Sequence, residues 1–181
     1  EGCTVLALGE MGIGNTASAA LLAHKVAGLD LAALTGRGAG LDDAGLAGKA
    51  AAMASGAART AVRLPPRDAL TEYGGYEIAM LAGAILRAAE CRVCVLVDGV
   101  IVTAAAIVAH AMRRDCLTAC VFAHRSAEPG HDLMLAHLGA APLLDLGMRL
   151  GEGTGAALAI PLLRAAAAVL SDMANLRDLV A

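Results

Sequence analysis

The chain has 181 residues, 58% of them hydrophobic, and a formal net charge of −3 at pH 7. This composition excludes a disordered chain and a small disulfide-built domain, and without a basic cluster the chain is not a nucleic-acid binder. Three residues are aromatic whereas 44 are alanine, and no uncharged apolar run reaches the 18 residues of a membrane span. We therefore expect one α/β domain over residues 1–181, with no nucleic-acid partner and no membrane span.

Strand and helix patterns alternate along the chain, which favours a mainly parallel sheet with helices on both of its faces. In chain order the predicted elements are a strand at residues 4–8, helices at 15–27, 42–59 and 76–89, a strand at 92–97, a helix at 103–113, a strand at 118–123 and a long helix after residue 155. Glycine-rich and polar clusters follow the strands. Because parallel sheets bind ligands at the carboxyl ends of their strands, these clusters are the candidate site.

The first cluster, Gly9-Glu-Met-Gly-Ile-Gly-Asn-Thr16, joins the first strand to a helix that we expect Asn15 to cap. Gly12 and Gly14 would let a phosphate approach the backbone, where the N–H groups of the helix attract an anion. The same spacing fits a relaxed dinucleotide pattern, although the carboxylate of Glu10 would repel a pyrophosphate. A phosphate site, a dinucleotide site and a plain tight turn all stay open from this loop alone.

Three further positions carry polar groups at strand or helix ends. The segment Gly36-Arg-Gly-Ala-Gly-Leu-Asp-Asp43, with Lys49 two turns into its helix, suits a phosphate monoester or is an Asp-capped helix start. Asp98 ends a strand, where it either holds ribose hydroxyls or forms a turn. Glu152 lies between glycines ahead of the last helix. It is either a general base with limited solvation or a capping acid.

The cysteine and histidine patterns are weaker. Five cysteines form no disulfide framework, so we expect reduced thiols in a cytoplasmic protein rather than a redox or zinc half-site at Cys91-x-x-Cys94. His124-Arg-Ser126 and the nearby His131 offer a nucleophile pair, but no Gly-x-Ser-x-Gly elbow accompanies them. Two histidines without further ligands make a poor zinc site. We expect Ser126 instead to donate to a phosphate or a ribose.

Five blocks occur in a fixed order along the chain: Gly9-Glu-Met-Gly-Ile-Gly-Asn-Thr16, Gly36-Arg-Gly-Ala-Gly-Leu-Asp-Asp-Ala-Gly45, Gly74-Gly-Tyr-Glu-Ile-Ala79, His124-Arg-Ser-Ala-Glu-Pro-Gly-His131 and Leu144-Asp-Leu-Gly-Met-Arg-Leu-Gly-Glu-Gly-Thr-Gly-Ala-Ala157. Together they resemble the nicotinate-nucleotide:dimethylbenzimidazole phosphoribosyltransferase family, which makes the lower ligand of cobalamin. The resemblance spans nearly the whole chain. Five ordered blocks are far more specific than any single glycine loop.

The resemblance implies a three-layer Rossmann-like α/β domain, a homodimer and a reaction without metal or other cofactor. Phosphoribose would pass from nicotinate mononucleotide to 5,6-dimethylbenzimidazole with inversion at the anomeric carbon, which gives α-ribazole 5′-phosphate and nicotinate. By motif, Glu152 would be the general base and Glu10 a second active-site acid. The remaining positions implied to contact substrate are Gly12, Gly14, Asn15, Gly38, Lys49, Asp98 and Ser126 around the phosphate and ribose, and Leu150 against the base.

In this family an N-terminal segment precedes the first block and completes the benzimidazole pocket. The resemblance is to the part that follows that segment, so we expect a C-terminal catalytic fragment with an incomplete site. Such a fragment would expose apolar surface and associate with itself or with the segment. Two other functions are open: binding of a nucleotide phosphate without catalysis, and an NAD-dependent oxidoreductase.

Overall fold

The computed structural model describes residues 2–38 and 40–173; Ala39 of the second glycine loop lies outside the described residues. The strands are β1 (Val5–Leu8), β2 (Cys94–Val97) and β3 (Cys120–Phe122). The α-helices are α1 (Asn15–Leu22), α2 (Leu31–Leu34), α3 (Asp43–Ala57), α4 (Pro66–Tyr73), α5 (Tyr76–Glu90), α6 (Gly99–Met112), α7 (His131–Leu138) and α8 (Thr154–Asp172). A π-helical segment (Ala23–Ala27) extends α1, and a 3₁₀ segment (Arg114–Ala119) precedes β3.

The three strands form one parallel sheet in the order β1, β2, β3. Val97 at the end of β2 lies opposite Leu8 on one side and Phe122 on the other. An isolated parallel bridge between His124 and Leu144 continues the pairing beyond β3. Because all strands run in the same direction, the clusters that follow them meet at one edge of the sheet.

The central strand β2 is apolar throughout because both of its faces are covered. Val95 and Val97 pack into the main core with α1, α5, α6 and α7, whereas Leu96 packs with Ala156 and Ala159 of α8. Continuous apolar runs are typical of parallel strands covered on both faces. The α/β class is therefore confirmed. The three-layer arrangement is shown in part, since α8 is the helix that the described residues place on the second face.

Several local predictions were wrong in detail. Gly14, with φ of +84°, is the N-cap of α1, and Asn15 is instead its first helical residue. Glycine suits this position because it enters the left-handed region without steric cost. The helix after β2 begins at Gly99 rather than at residue 103. Pro66 opens α4, a helix that is missing from the predicted elements, because proline's fixed φ suits a first helical position.

One helix of the described residues, α8, is long and apolar enough to cross a membrane, with a mean hydropathy of 1.6. It is not an uncharged run of the kind sought in the sequence, because Arg164 interrupts its apolar residues. Length and composition alone are weak evidence, because core helices of soluble proteins pass the same test. Here α8 packs its buried residues Ala156 and Ala159 on the sheet, next to Leu96 of β2.

Candidate active site

A cleft of about 210 Å³ opens where the carboxyl ends of the strands meet. Seven of the residues singled out from the sequence line it: Glu10, Gly12, Asn15, Asp98, Ser126, Leu150 and Glu152. They come from the loops after all three strands and from the segment that leads into α8. The parallel topology thus gathers positions that are up to 142 residues apart (152 − 10) into one site.

Two of the three glutamates that line the cleft, Glu10 and Glu152, are joined through their backbones. The N–H of Glu152 donates a hydrogen bond to the carbonyl oxygen of Glu10 over 3.1 Å. The Glu10 carboxylate accepts a hydrogen bond from the side-chain amide of Asn15, which explains why Asn15 does not cap α1. Burial raises the pKa of Glu10, the bond from Asn15 lowers it, and the charge of Glu77 raises it further. The first loop therefore presents a fixed acid beside Glu152.

The backbone of Glu152 is left-handed, with φ of +58°, between Gly151 at +77° and Gly153 at +80°. A residue with a Cβ rarely adopts this conformation, and residues that do so are found preferentially at functional sites. The turn carries the Glu152 side chain outward, and the residue is exposed. The limited solvation expected from its apolar sequence neighbourhood is thus absent here. Leu150 near it is also exposed, by 67%, and forms part of the wall of the cleft.

Asp98 is almost completely buried, and its carboxylate has partners within the protein. One oxygen, Oδ2, accepts from the N–H of Gly153 at 2.8 Å, and Oδ1 accepts from the N–H of Ala156 at 3.2 Å. The ring Nδ1 of His124 lies 2.9 Å from Oδ1, without the alignment of a hydrogen bond. The side chains of Asp98 and His124 are 1% and 2% exposed. Asp98 therefore ties the end of β2 to the start of α8.

A second buried network orders the loop that follows β3. The N–H of Ser126 donates to Nδ1 of His131 at 2.9 Å, so the ring proton is on Nε2, which donates to the Thr103 hydroxyl at 2.9 Å. Thr103 in turn donates to the carbonyl of Gly99 at 2.7 Å. Burial, followed by the nearby His124, lowers the pKa of His131 to about 4. His131 is thus a neutral structural side chain that holds the Ser126 backbone.

This geometry gives no support to the hydrolase and zinc alternatives. His131 contacts the backbone N–H of Ser126, and the Ser126 hydroxyl accepts from the N–H of Glu128 at 3.2 Å. A nucleophilic serine would instead donate its hydroxyl proton to a base. Among residues 2–38 and 40–173, no cluster of three or more histidine, cysteine or acidic side chains is arranged to hold a metal ion.

Two cations lie at the side of the cleft nearest the second glycine loop. Lys49 donates to the Thr16 hydroxyl at 2.9 Å and to the Gly36 carbonyl at 2.8 Å. Arg149 donates to the Gly38 carbonyl at 2.9 Å and to the Glu128 carboxylate at 2.7 Å. Burial lowers the pKa of Lys49, and the charge of Glu128 acts in the opposite direction. These bonds hold three loops together around the mouth of the cleft.

Comparisons with known proteins identify the family of the chain. A family model described as a phosphoribosyltransferase matches residues 1–179. The nicotinate-nucleotide–dimethylbenzimidazole phosphoribosyltransferase of Aromatoleum aromaticum is 60% identical over 175 residues. The chain belongs to this phosphoribosyltransferase family. A protein with the same name from Dechloromonas aromatica is 53% identical over 178 residues, and the crystal structure of CobT from Thermus thermophilus superposes with a TM-score of 0.89 at 45% identity.

The chain spans about half the length of the curated relatives it matches. The match to the Aromatoleum protein covers 97% of the chain and 51% of the relative, and that to the Dechloromonas protein covers the same shares. The match to the Thermus structure covers 93% of this chain and 51% of the Thermus chain. The family expected from the five sequence blocks is confirmed.

The lining of the cleft differs in composition from the set of residues chosen by sequence. Gly14, Gly38 and Lys49 lie beside the cleft rather than in its lining, and Lys49 reaches it through Thr16. The lining residues that were not chosen are Thr16, Gly99, Val100, Ile101, Val102, His124, Glu128, Arg149 and Gly151, together with Met11. Most of them lie within the five blocks already quoted, so the blocks themselves were the available signal. The start of α6 had no such signal, because its sequence is a plain apolar run.

Proposed function

We propose that this chain provides the catalytic part of an enzyme that transfers phosphoribose from nicotinate mononucleotide to 5,6-dimethylbenzimidazole. The products would be α-ribazole 5′-phosphate and nicotinate. Family membership supports the reaction, and relatives of about twice the length carry its name. The observation in this chain that supports it best is the backbone bond between Glu152 and Glu10, which places two carboxylates at one cleft.

Glu152 has the properties of a base for an incoming ring. Its side chain is exposed on a left-handed turn between two glycines, and the bond to Glu10 holds this turn beside the first loop. As one ring nitrogen of dimethylbenzimidazole bonds to the anomeric carbon, the other loses its proton to the carboxylate of Glu152. The bond between the anomeric carbon and the pyridine nitrogen breaks at the same centre. Its electron pair returns to the pyridine ring, so nicotinate leaves without needing a proton or a metal.

Other residues have roles in positioning the two substrates. The phosphate and ribose would lie between the first glycine loop and the loop after β3, against Gly12, Gly14, Asn15 and Ser126, with Gly38 and Lys49 at the side. N–H groups of a glycine loop at a helix start, with a lysine nearby, are a favourable setting for a phosphate. Glu10 would face the cationic pyridinium, and the exposed Leu150 would pack on the flat base. Holding the two rings in place contributes a large part of such a rate.

The decisive experiment uses the natural full-length protein with saturating nicotinate mononucleotide and dimethylbenzimidazole. Release of nicotinate is the expected result, and Glu152→Gln should lower kcat by at least about 100-fold, since it removes the proton acceptor without changing shape. Glu72→Gln, at an exposed glutamate of α4, is the matched control and should leave kcat unchanged. Undiminished turnover in Glu152→Gln would show that Glu152 is not the general base.

The same assay separates the alternative functions. Binding of nicotinate mononucleotide without turnover, with both substrates saturating, would favour a nucleotide-phosphate binding protein. A saturable change in NADH fluorescence during a titration would instead favour an oxidoreductase. Neither result is expected, because Glu10 places a negative charge where a pyrophosphate would have to lie, and because the family's named reaction is a transfer with turnover.

We further propose that the protein is a cytoplasmic homodimer. All five cysteines are free thiols, which supports a reducing compartment. Burial raises the pKa of Cys120 to about 12, which makes it an unreactive packing residue rather than a redox group. The dimer follows from the family resemblance. Sedimentation of the full-length protein would test it.

A further inference from the structure

Asp98 has the backbone of a helix cap but does not cap the helix it precedes. It occupies the N-cap position of α6 with φ of −99° and ψ of 122°, yet its side chain makes no capping bond to α6. Both carboxylate oxygens turn instead to a different helix, α8, which starts 56 residues later (154 − 98). The buried carboxylate of Asp98 therefore stabilises α8 rather than α6.

At the start of α8 the carboxylate takes two backbone donors. The N–H groups of Gly153 and Ala156 are among those that the start of an α-helix leaves without internal partners. Negative charge at this end of a helix is favourable, and bonds from N–H groups to a charged oxygen are stronger than neutral ones. Asp98 therefore caps α8 from outside, across the sheet edge, with 2.8 and 3.2 Å bonds.

The fit at this junction leaves no room for adjustment. A Cβ added to Gly155 would overlap Nδ1 of His124 and come within 2.5 Å of Oδ1 of Asp98. Gly155 is therefore the residue that lets the first turn of α8 approach the Asp98–His124 pair. Any change in the position of the carboxylate moves the start of the helix.

Glu152 immediately precedes the residue that Asp98 holds. The turn from Gly151 to Gly153 is closed by one internal bond, from the N–H of Thr154 to the carbonyl of Gly151 at 3.0 Å. This bond does not fix the turn relative to the sheet, so its position depends on what its own backbone N–H groups bind. Those of Glu152 and Gly153 have one partner each: the carbonyl of Glu10 and the carboxylate of Asp98. Without the second bond, the turn would pivot about the first.

We propose that Asp98 is a positioning residue, which holds Glu152 at its working position through the start of α8. The catalytic part of this inference rests on the function proposed above. It differs from the ribose contact that the sequence predicts for Asp98, in which the carboxylate would bind the substrate itself. Because a displacement of about 1 Å can lower a rate about 100-fold, the two roles give different kinetics.

The kinetic test is a double-mutant cycle in the natural full-length protein. Asp98→Asn keeps the size of the side chain but replaces one acceptor oxygen by a donor and removes the charge. It should lower kcat about 10- to 100-fold, with KM for nicotinate mononucleotide changed less than about 2-fold. In the Glu152→Gln background the same change should cost less than about 2-fold, because the residue through which it acts is already disabled.

Two results would overturn the proposal. A rise in KM for nicotinate mononucleotide with independent, multiplying effects of the two substitutions would make Asp98 a ribose ligand. An unchanged kcat in folded Asp98→Asn protein would show that Asp98 has no role in the reaction. Asp68→Asn, at an exposed aspartate of α4, is the control for loss of a carboxylate and should leave both constants unchanged.

A second measurement tests the contact even if the substituted protein does not fold or if no turnover is observed. Amide hydrogen exchange of the unmodified protein should show slow exchange at Gly153 and Ala156. Exchange of these amides at the rate of free peptide would refute the capping bonds. Gly155→Ala, which alters no polar group, should accelerate both amides by displacing the helix start. If exchange behaves as expected and no turnover is found, the positioning contact stands and the proposed function fails.

Discussion

Gly9 and Gly153 meet backbone to backbone: a Cβ on Gly9 would overlap the main chain of Gly153 and lie 2.8 Å from the carbonyl carbon of Glu152. Gly9 follows β1, and Gly153 is the N-cap of α8. Two distant parts of the chain thus approach more closely than any residue with a side chain allows. This approach brings the loop of Glu10 beside that of Glu152.

Gly9→Ala should therefore separate the two halves of the cleft. We expect a loss of about 1–3 kcal/mol in the free energy of unfolding, as for overpacked sites, together with a strong loss of any turnover. Chemical denaturation followed by circular dichroism measures the first effect. Gly83→Ala is the control, because its Cβ meets no atom within 4 Å and the position lies in α5. That variant should be as stable as the parent or more stable, by up to about 1 kcal/mol.

Thr103→Val should destabilise the loop after β3. The valine would leave Nε2–H of His131 without an acceptor in a buried place, at a cost of about 1–3 kcal/mol. Thr103→Ser keeps the hydroxyl and both bonds, and should lose far less. Urea denaturation of the three proteins checks this. Equal stability of the valine and serine variants would show that the bond contributes little.

The pKa of His131 gives stability a pH dependence. Burial lowers this pKa to about 4 in the folded protein, against about 6.5 in the unfolded chain. Between these values the unfolded chain binds more protons, so the free energy of unfolding falls as pH is lowered from 7 toward 4. The difference corresponds to roughly 3 kcal/mol. In His131→Gln the slope of stability against pH over this range should flatten; an unchanged slope would assign it to other groups.

The sequence predicted those features that depend on local pattern. Apolar runs that end in glycine or Asp-Gly located β1 and β2, and the alternation of strand and helix indicated a parallel sheet. From that topology it followed that Glu10, Asp98, Ser126 and Glu152 would share one edge, and they do. Such inferences succeed because every parallel strand carries its following loop to the same edge.

Features that depend on tertiary contacts were not predictable. Nothing near Asp98 in the sequence indicates that its carboxylate binds α8. Lys25 is 1% exposed and donates to the carbonyls of Ala57 and Ala61 at 2.7 and 2.8 Å, although lysine is almost always a surface residue. Asn15, a good cap by propensity, was drawn to Glu10 instead. In each case a partner distant in sequence, or a neighbouring charge, overrides the local preference.

The outer face of α8 should make this chain associate with itself when it is produced alone. Leu158, Leu162 and Val169 are between 45% and 54% exposed on this helix, and neighbouring exposed apolar side chains of this kind favour association. Leu158→Lys with Leu162→Lys should reduce the association measured by sedimentation velocity. Val62→Lys, at a residue 74% exposed in another part of the chain, is the control. A monomer at all concentrations of the parent chain would refute the prediction.

The left-handed backbone of Glu152 implies a trade-off between thermal stability and activity. An L-residue with a side chain loses about 1 kcal/mol when it adopts φ of +58°, a cost that glycine avoids. Glu152→Gly should therefore raise the melting temperature while it eliminates the proton acceptor. If Glu152 acts as proposed, selection for thermal stability alone would favour glycine at this position and give a more stable but inactive protein. The strained backbone of Glu152 would then persist in the fold because turnover requires a carboxylate at this position.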